Sequence, residues 1–224
     1  MKRNNQTITV RENRPTGRAA LCEREGRHGP RRRGMCLLLG VLLVLAGLSM
    51  ASGWMGIAAA LAEDGVVYCD EGGNELTHNG VTALNDGTTT WTGWYMVAGN
   101  TTISDRITVE GQATLILCDG AKLFASKGIT VSAGSSLTIY GQREGTGELE
   151  AKGTTNTAAI GGDTLKSGRN QCGAIAIHGG TVTATAGEKG AGIGGGYQGA
   201  GGAITITGGE VTATGGKYGA GIGG

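Results

Sequence analysis

The pattern GAGIGG stands at residues 190–195 and again at 219–224. Each copy meets G-x-G-x-x-G, the spacing with which a strand–turn–helix loop cradles a dinucleotide pyrophosphate. That chemistry needs a helix opening inside the glycines and an acidic residue about 20 positions further on. After Gly195 the chain runs GYQGAGGAITIT, which is glycine followed by strand-like sequence, and the second copy closes the sequence. The match reads as a turn, and no cofactor is expected.

Other residues invite chemistry and are weighed the same way. GGDTL at 161–165 resembles half of a calcium-binding nonapeptide, but no tandem copy supplies the second half-site, so no metal is expected. Asp163 there reads as a turn residue bonding its own backbone. Acid–base attack on a polysaccharide needs converging carboxylates, or a cation-binding carboxylate with an Arg or Lys base. After Thr154 the acids are Asp163, Glu188 and Glu210, and the first two lie in turn-like sequence. Asp105, Arg106, Asp119 and Lys127 are denser but read as corners between strands, and His78 and His178 lack a Ser or Cys partner in any motif. No catalytic residue is assigned.

The aromatic side chains Trp91, Trp94 and Tyr95, in WTGWYMV, are the candidate ligand-binding residues, because exposed ring planes stack on sugar rings. A structural alternative is that they cover the open N-terminal end of a repeat array, which needs capping. Thr183 and Thr185 recur as Thr212 and Thr214, but threonine is an ordinary outward strand residue, and Thr181 becomes Glu210.

The elements that would position these residues repeat. GAIAIHGGTVTATAGEKGAGIGG, from Gly173, returns 29 residues later as GAITITGGEVTATGGKYGAGIGG, from Gly202. Upstream, RITVEGQATLILCDG from Arg106 aligns with GITVSAGSSLTIYG from Gly128 at an offset of 22, placing Leu115 and Leu117 over Leu137 and Ile139. GELEAKG and AAIGG sit 33 residues before GTVTATA and AGIGG. Within each segment apolar residues alternate with polar ones, which is strand periodicity. Two or three short strands per repeat, glycine corners and a drifting period predict an all-β parallel β-helix of roughly four or five coils over residues 92–224. Its aliphatic side chains should stack into a core that no single coil could form. Residues 63–91 read as an irregular lead-in.

Residues 92–224, through phrases such as GWYMVAGNTTISDRITVEGQATLILCDG, SLTIYGQ and GAGIGGG, resemble right-handed β-helix segments of large secreted or surface proteins of Gram-positive, host-associated bacteria. The resemblance implies a carbohydrate-binding or adhesin-like module, with glycans or host or bacterial surface molecules as partners. Two alternatives stand beside it: a fragment of a polysaccharide-active, pectin-lyase-like enzyme, and a purely structural spacer.

Charge divides the chain after Ala62. Residues 1–62 hold ten Lys or Arg against three Glu, a net of +7, and residues 63–224 hold nine against fifteen acids, a net of −6. The first part reads as a basic leader and signal peptide, with Met35 as an alternative start, an apolar run, and Ala60-Leu61-Ala62 as the cleavage pattern; the alternative is an uncleaved membrane anchor, which the run from Met35 to Ala62 is long enough to form. A signal helix, secretion or surface display, and membrane contact only through that segment follow as expectations. The mildly acidic remainder gives no electrostatic reason to bind nucleic acid. Cys69, Cys118 and Cys172 follow the leader, an odd number with no C-x-x-C pair, and are expected as unpaired thiols. Because the second GAGIGG ends inside a repeat, the coil edge there is expected to be unpaired.

Overall fold

The computed structural model describes residues 6–11, 65–163 and 171–224. The expected signal helix, the apolar run and the cleavage pattern lie outside the described residues. All regular structure within them is β-strand.

Strand β1 (Thr7–Arg11) is followed by a lead-in of β2 (Val66–Cys69), β3 (Glu75–His78) and β4 (Thr82–Ala83). The coils then begin. Coil 1 comprises β5 (Thr90–Val97), β6 (Asn100–Ile103) and the first part of β7 (Ile107–Leu117). Coil 2 comprises the rest of β7, then β8 (Lys122–Ala125) and β9 (Ile129–Val131). Coil 3 holds β10 (Ser136–Gly141), β11 (Glu148–Lys152) and β12 (Ile160–Gly161). Coil 4 holds β13 (Ala174–Ile177), β14 (Thr181–Thr185) and β15 (Ile193–Gly194); coil 5 holds β16 (Ile204–Ile206), β17 (Glu210–Thr214) and β18 (Ile222–Gly223). Each strand pairs in parallel with its equivalent in the next coil, so the chain folds as a parallel β-helix, with five coils among the described residues.

Stacking follows from the two-residue alternation. On one side Leu123, Leu149, Val182 and Val211 lie in register, flanked by Ala125, Ala151, Ala184 and Ala213. The short side stacks Ile107, Ile129, Ile160, Ile193 and Ile222. The third stacks Tyr95, Leu115, Ile139, Ile177 and Ile206. These residues form one core, in which Ile206 and Ile222 are partly exposed. Removing each large aliphatic side chain from water contributes about 1.5–3 kcal/mol.

The 29- and 33-residue alignments match the observed pairing. One segment of the 22-residue alignment does not. Ile107 and Val109 do pair with Ile129 and Val131, but Leu115 lies beside Ile139 and Ala113 beside Leu137, an offset of 24. The corner Ser132–Ser135 is two residues longer than its counterpart Glu110-Gly111, so the inward pattern is preserved while the register moves.

The glycine pattern earns its place in the short side. Gly161, Gly194 and Gly223 succeed one another there with φ of 131°, 136° and 114°. A Cβ on Gly194 would strike the carbonyl of Gly223, so only glycine permits this backbone angle and this approach.

The closing edge is not bare throughout. β1 lies antiparallel on β17, from Thr7 opposite Thr214 to Arg11 opposite Glu210. The expectation of an unpaired edge is corrected on that side, because an upstream strand satisfies its hydrogen bonds.

Candidate functional site

The three aromatic residues selected from sequence have separate fates. Trp91 is 0% exposed and donates its indole N–H to the carbonyl of Thr88 at 3.0 Å. Tyr95 is 8% exposed, and its hydroxyl accepts the N–H of Thr92 at 3.1 Å. Both are core residues of the first coil and present no ring face to a ligand. Trp94, pointing the other way along β5, is half-buried. Its neighbours are the chain's own rings: His78 stacks on it at 3.8 Å, Tyr68 lies 5.4 Å away, and Tyr140 lies 6.2 Å away.

Trp94 is thus a clasp. The antiparallel β2–β3 hairpin lies on the outer surface of coils 1 to 3, and Val66, Val81, Met96 and Ile116 form a second small core beneath it. The ring series continues from Tyr140 to His178 at 5.0 Å, and His178 Nδ1 meets Thr207 Oγ1 at 2.6 Å. Burial, with Tyr68 beside it, pushes the Tyr140 phenol above its ordinary value, so it stays protonated.

The charged corners are likewise occupied. Arg106 Nε lies 2.6 Å from Thr130 Oγ1 and 3.2 Å from Asp163 Oδ2, and its Nη atoms donate to the carbonyls of Lys127, Ala158 and Gly162. Asp163, read from sequence as a turn residue, meets Arg106 and so joins coil 3 to the corner of coil 1, and it accepts from Thr130 Oγ1 at 3.2 Å. Asp119 accepts the backbone N–H groups of Glu144 and Thr146 at 3.0 and 3.1 Å, and Asp105 pairs with Lys127 at 2.9 Å. Among the described residues no three His, Cys, Asp or Glu side chains converge as a metal site would require. Cys69 and Cys172 are free thiols, and burial raises both above the ordinary thiol value, which disfavours the nucleophilic thiolate.

Among the described residues two rings are exposed to solvent, and the sequence reading passed over both. Tyr197 is 39% exposed and Tyr218 is 65% exposed. They flank a shallow groove of about 320 Å³ whose floor is the glycine backbone of the GAGIGG corners, with Lys189 at its rim. Lys189 Nζ stands 4.7 Å from the Tyr197 ring centre, and Lys217 Nζ stands 4.8 Å from that of Tyr218. A hydrogen bond to Tyr218 holds the Lys217 ammonium above its ordinary value, so it is charged at neutral pH. Gln198, next to Tyr197, has φ of 58°, the one positive value at a non-glycine residue among those described. Backbone in that region costs about 1–3 kcal/mol and gathers at ligand-contacting sites. The available signal in the sequence was the placement of these tyrosines within glycine corners, where a large side chain has no inward position to fill.

The pairing and core define the class as a parallel β-helix, and comparison with known families agrees. A family model described as a beta helix repeat matches residues 175–197 and 204–224, the strands and corners of coils 4 and 5. Comparison with curated proteins and with solved structures returned no match.

Proposed function

We propose that the chain is a secreted or surface-displayed β-helical module that binds glycans through the groove between Tyr197 and Tyr218. The observation carrying this reading is the pair of exposed rings beside a glycine floor, each with a lysine ammonium within 5 Å of its centre. Ring planes stack on the apolar faces of sugars, and the glycine backbone leaves room for a flat ligand with polar edges. Lys189 and Lys217 favour a carboxylated or sulfated sugar over a neutral one. The basic leader and Ala60-Leu61-Ala62 support export, as does the resemblance to surface proteins.

The test is glycan-array binding by the full chain and by Tyr197→Ala, Tyr218→Ala and Trp94→Ala. Loss with either tyrosine variant and retention with Trp94→Ala supports the reading. Equal binding by all four, or none by the wild type, removes it. Release of reducing or unsaturated sugar ends would point instead to a polysaccharide-active protein.

A further inference from the structure

Every neighbouring pair of strands within the coils is parallel, but β1 runs antiparallel along β17. Its fit there is specific. Val10 lies opposite Val211 and packs on the main core, and Ile8, 38% exposed, lies opposite Ala213, so the incoming strand continues the alternation of both ranks. Thr7 and Thr9 continue the outer threonines, with Thr7 Oγ1 3.3 Å from Thr214 Oγ1. The backbone N–H of Gly215 donates to the carbonyl of Gln6 at 3.0 Å. At the other end Arg11 Nη2 lies 3.0 Å from Glu210 Oε1. Glu210 stands where coil 4 has Thr181, so the outer rank is interrupted by an acid in the strand that receives a cation.

From this geometry we propose that the β17 edge is a strand-acceptor site and that Thr7–Arg11 is its removable cap. The acceptor takes an antiparallel segment with apolar residues at alternate positions and a cation opposite Glu210. A further parallel strand would extend the stack, whereas here an antiparallel strand of five residues occupies that edge. The cap lies upstream of Ala62, so cleavage at the export site would carry it away and leave the edge open to another segment of the same chemistry. The β17 edge shares no residue with the groove between Tyr197 and Tyr218.

The test keeps the full chain and breaks only the cap. Ile8→Pro with Val10→Pro removes two backbone donors from β1 and prevents strand pairing. A fluorescent peptide of residues 6–11 should bind this variant and not the wild type. Adding Glu210→Arg should weaken the peptide about five- to tenfold, and a peptide carrying Arg11→Glu should recover that loss. Binding to the wild type as well, binding to neither, or indifference to Glu210 would overturn the proposal. If the proline variant does not fold, disulfide trapping decides. Thr7→Cys with Thr214→Cys should cross-link within one chain, and Thr7→Cys with Glu210→Cys should not; the reverse result, or a link between two chains, would overturn the in-chain cap.

Discussion

Arg106 Nε and Asp163 Oδ2 lie 3.2 Å apart, although the arginine precedes the closing strand of coil 1 and the aspartate follows that of coil 3. Their side chains are 14% and 24% exposed. Burial pushes the guanidinium below its ordinary value, and Asp163 offsets part of that shift. Arg106→Ala should therefore cost about 1.5–3 kcal/mol, because it removes the charged donor shared by Asp163, Thr130 and the carbonyls of Ala158 and Gly162. Arg106→Lys should recover only part of this, since one ammonium cannot reach the carboxylate and the carbonyls of Ala158 and Gly162 together. Urea unfolding followed by circular dichroism measures both.

Trp91 and Trp94, three residues apart, should separate cleanly. Trp91→Ala empties the core of the first coil and should cost about 3–5 kcal/mol. Trp94→Ala should leave the global melt nearly unchanged and loosen the β2–β3 hairpin. Amide exchange across Val66–Cys69 would report that loosening; equal effects of the two variants on global stability would contradict the assignment.

Ile177 is 0% exposed and sits between Ile139 and Ile206. Ile177→Lys would bury an ammonium in that stack without an acidic partner, and the cooperative thermal transition should disappear. An unchanged melting curve would show that the stack is misassigned.

Glu150 gives a pH-dependent expectation. Its carboxyl is held below the usual range chiefly by a hydrogen bond from Lys152, 3.2 Å away, assisted by Lys122 at the same distance. A depressed folded-state value means the contribution is present above the ordinary glutamate range and is lost as pH falls through the folded value. The pair is well exposed, so Glu150→Gln should lower stability near neutrality by no more than about 1 kcal/mol. Wild type and variant should converge in acid, as read by melting temperature across a pH series.

Much of this fold was visible in the residues because aliphatic side chains at equivalent places in successive repeats have only one way to be buried together. Val182 with Val211 and Ile193 with Ile222 were legible for that reason. The misplacement of Leu115 came from the same alternation. A slip of one residue turns every side chain over, but a slip of two leaves the pattern unchanged. The longer corner at Ser132–Ser135 was therefore invisible to periodicity. The outer hairpin escaped notice for a different reason, since its packing is made between unlike segments. Leu115-Ile116-Leu117 did carry a hint, because consecutive apolar residues mark a strand covered on both faces, and Ile116 is the residue beneath the hairpin. The proposed ligand site lies at other rings than those chosen from sequence because aromatic type alone does not tell an indole inside a coil from a phenol outside one. Tyr197 and Tyr218 became visible only with the positions of the glycine corners around them.

The spacing of 29 residues between coils 4 and 5 holds on all three sides, at Ile175 and Ile204, Val182 and Val211, and Ile193 and Ile222. A segment with that property is interchangeable with its neighbour: cut at any point along it, the remaining ends meet in the same phase. An in-frame gene duplication or deletion of one such segment would lengthen or shorten the stack of coils by a single strand spacing, about 4.8 Å, and keep the three inner ranks in register. Reach could therefore be adjusted in heredity by copy number, with no new packing solution to be found at each step.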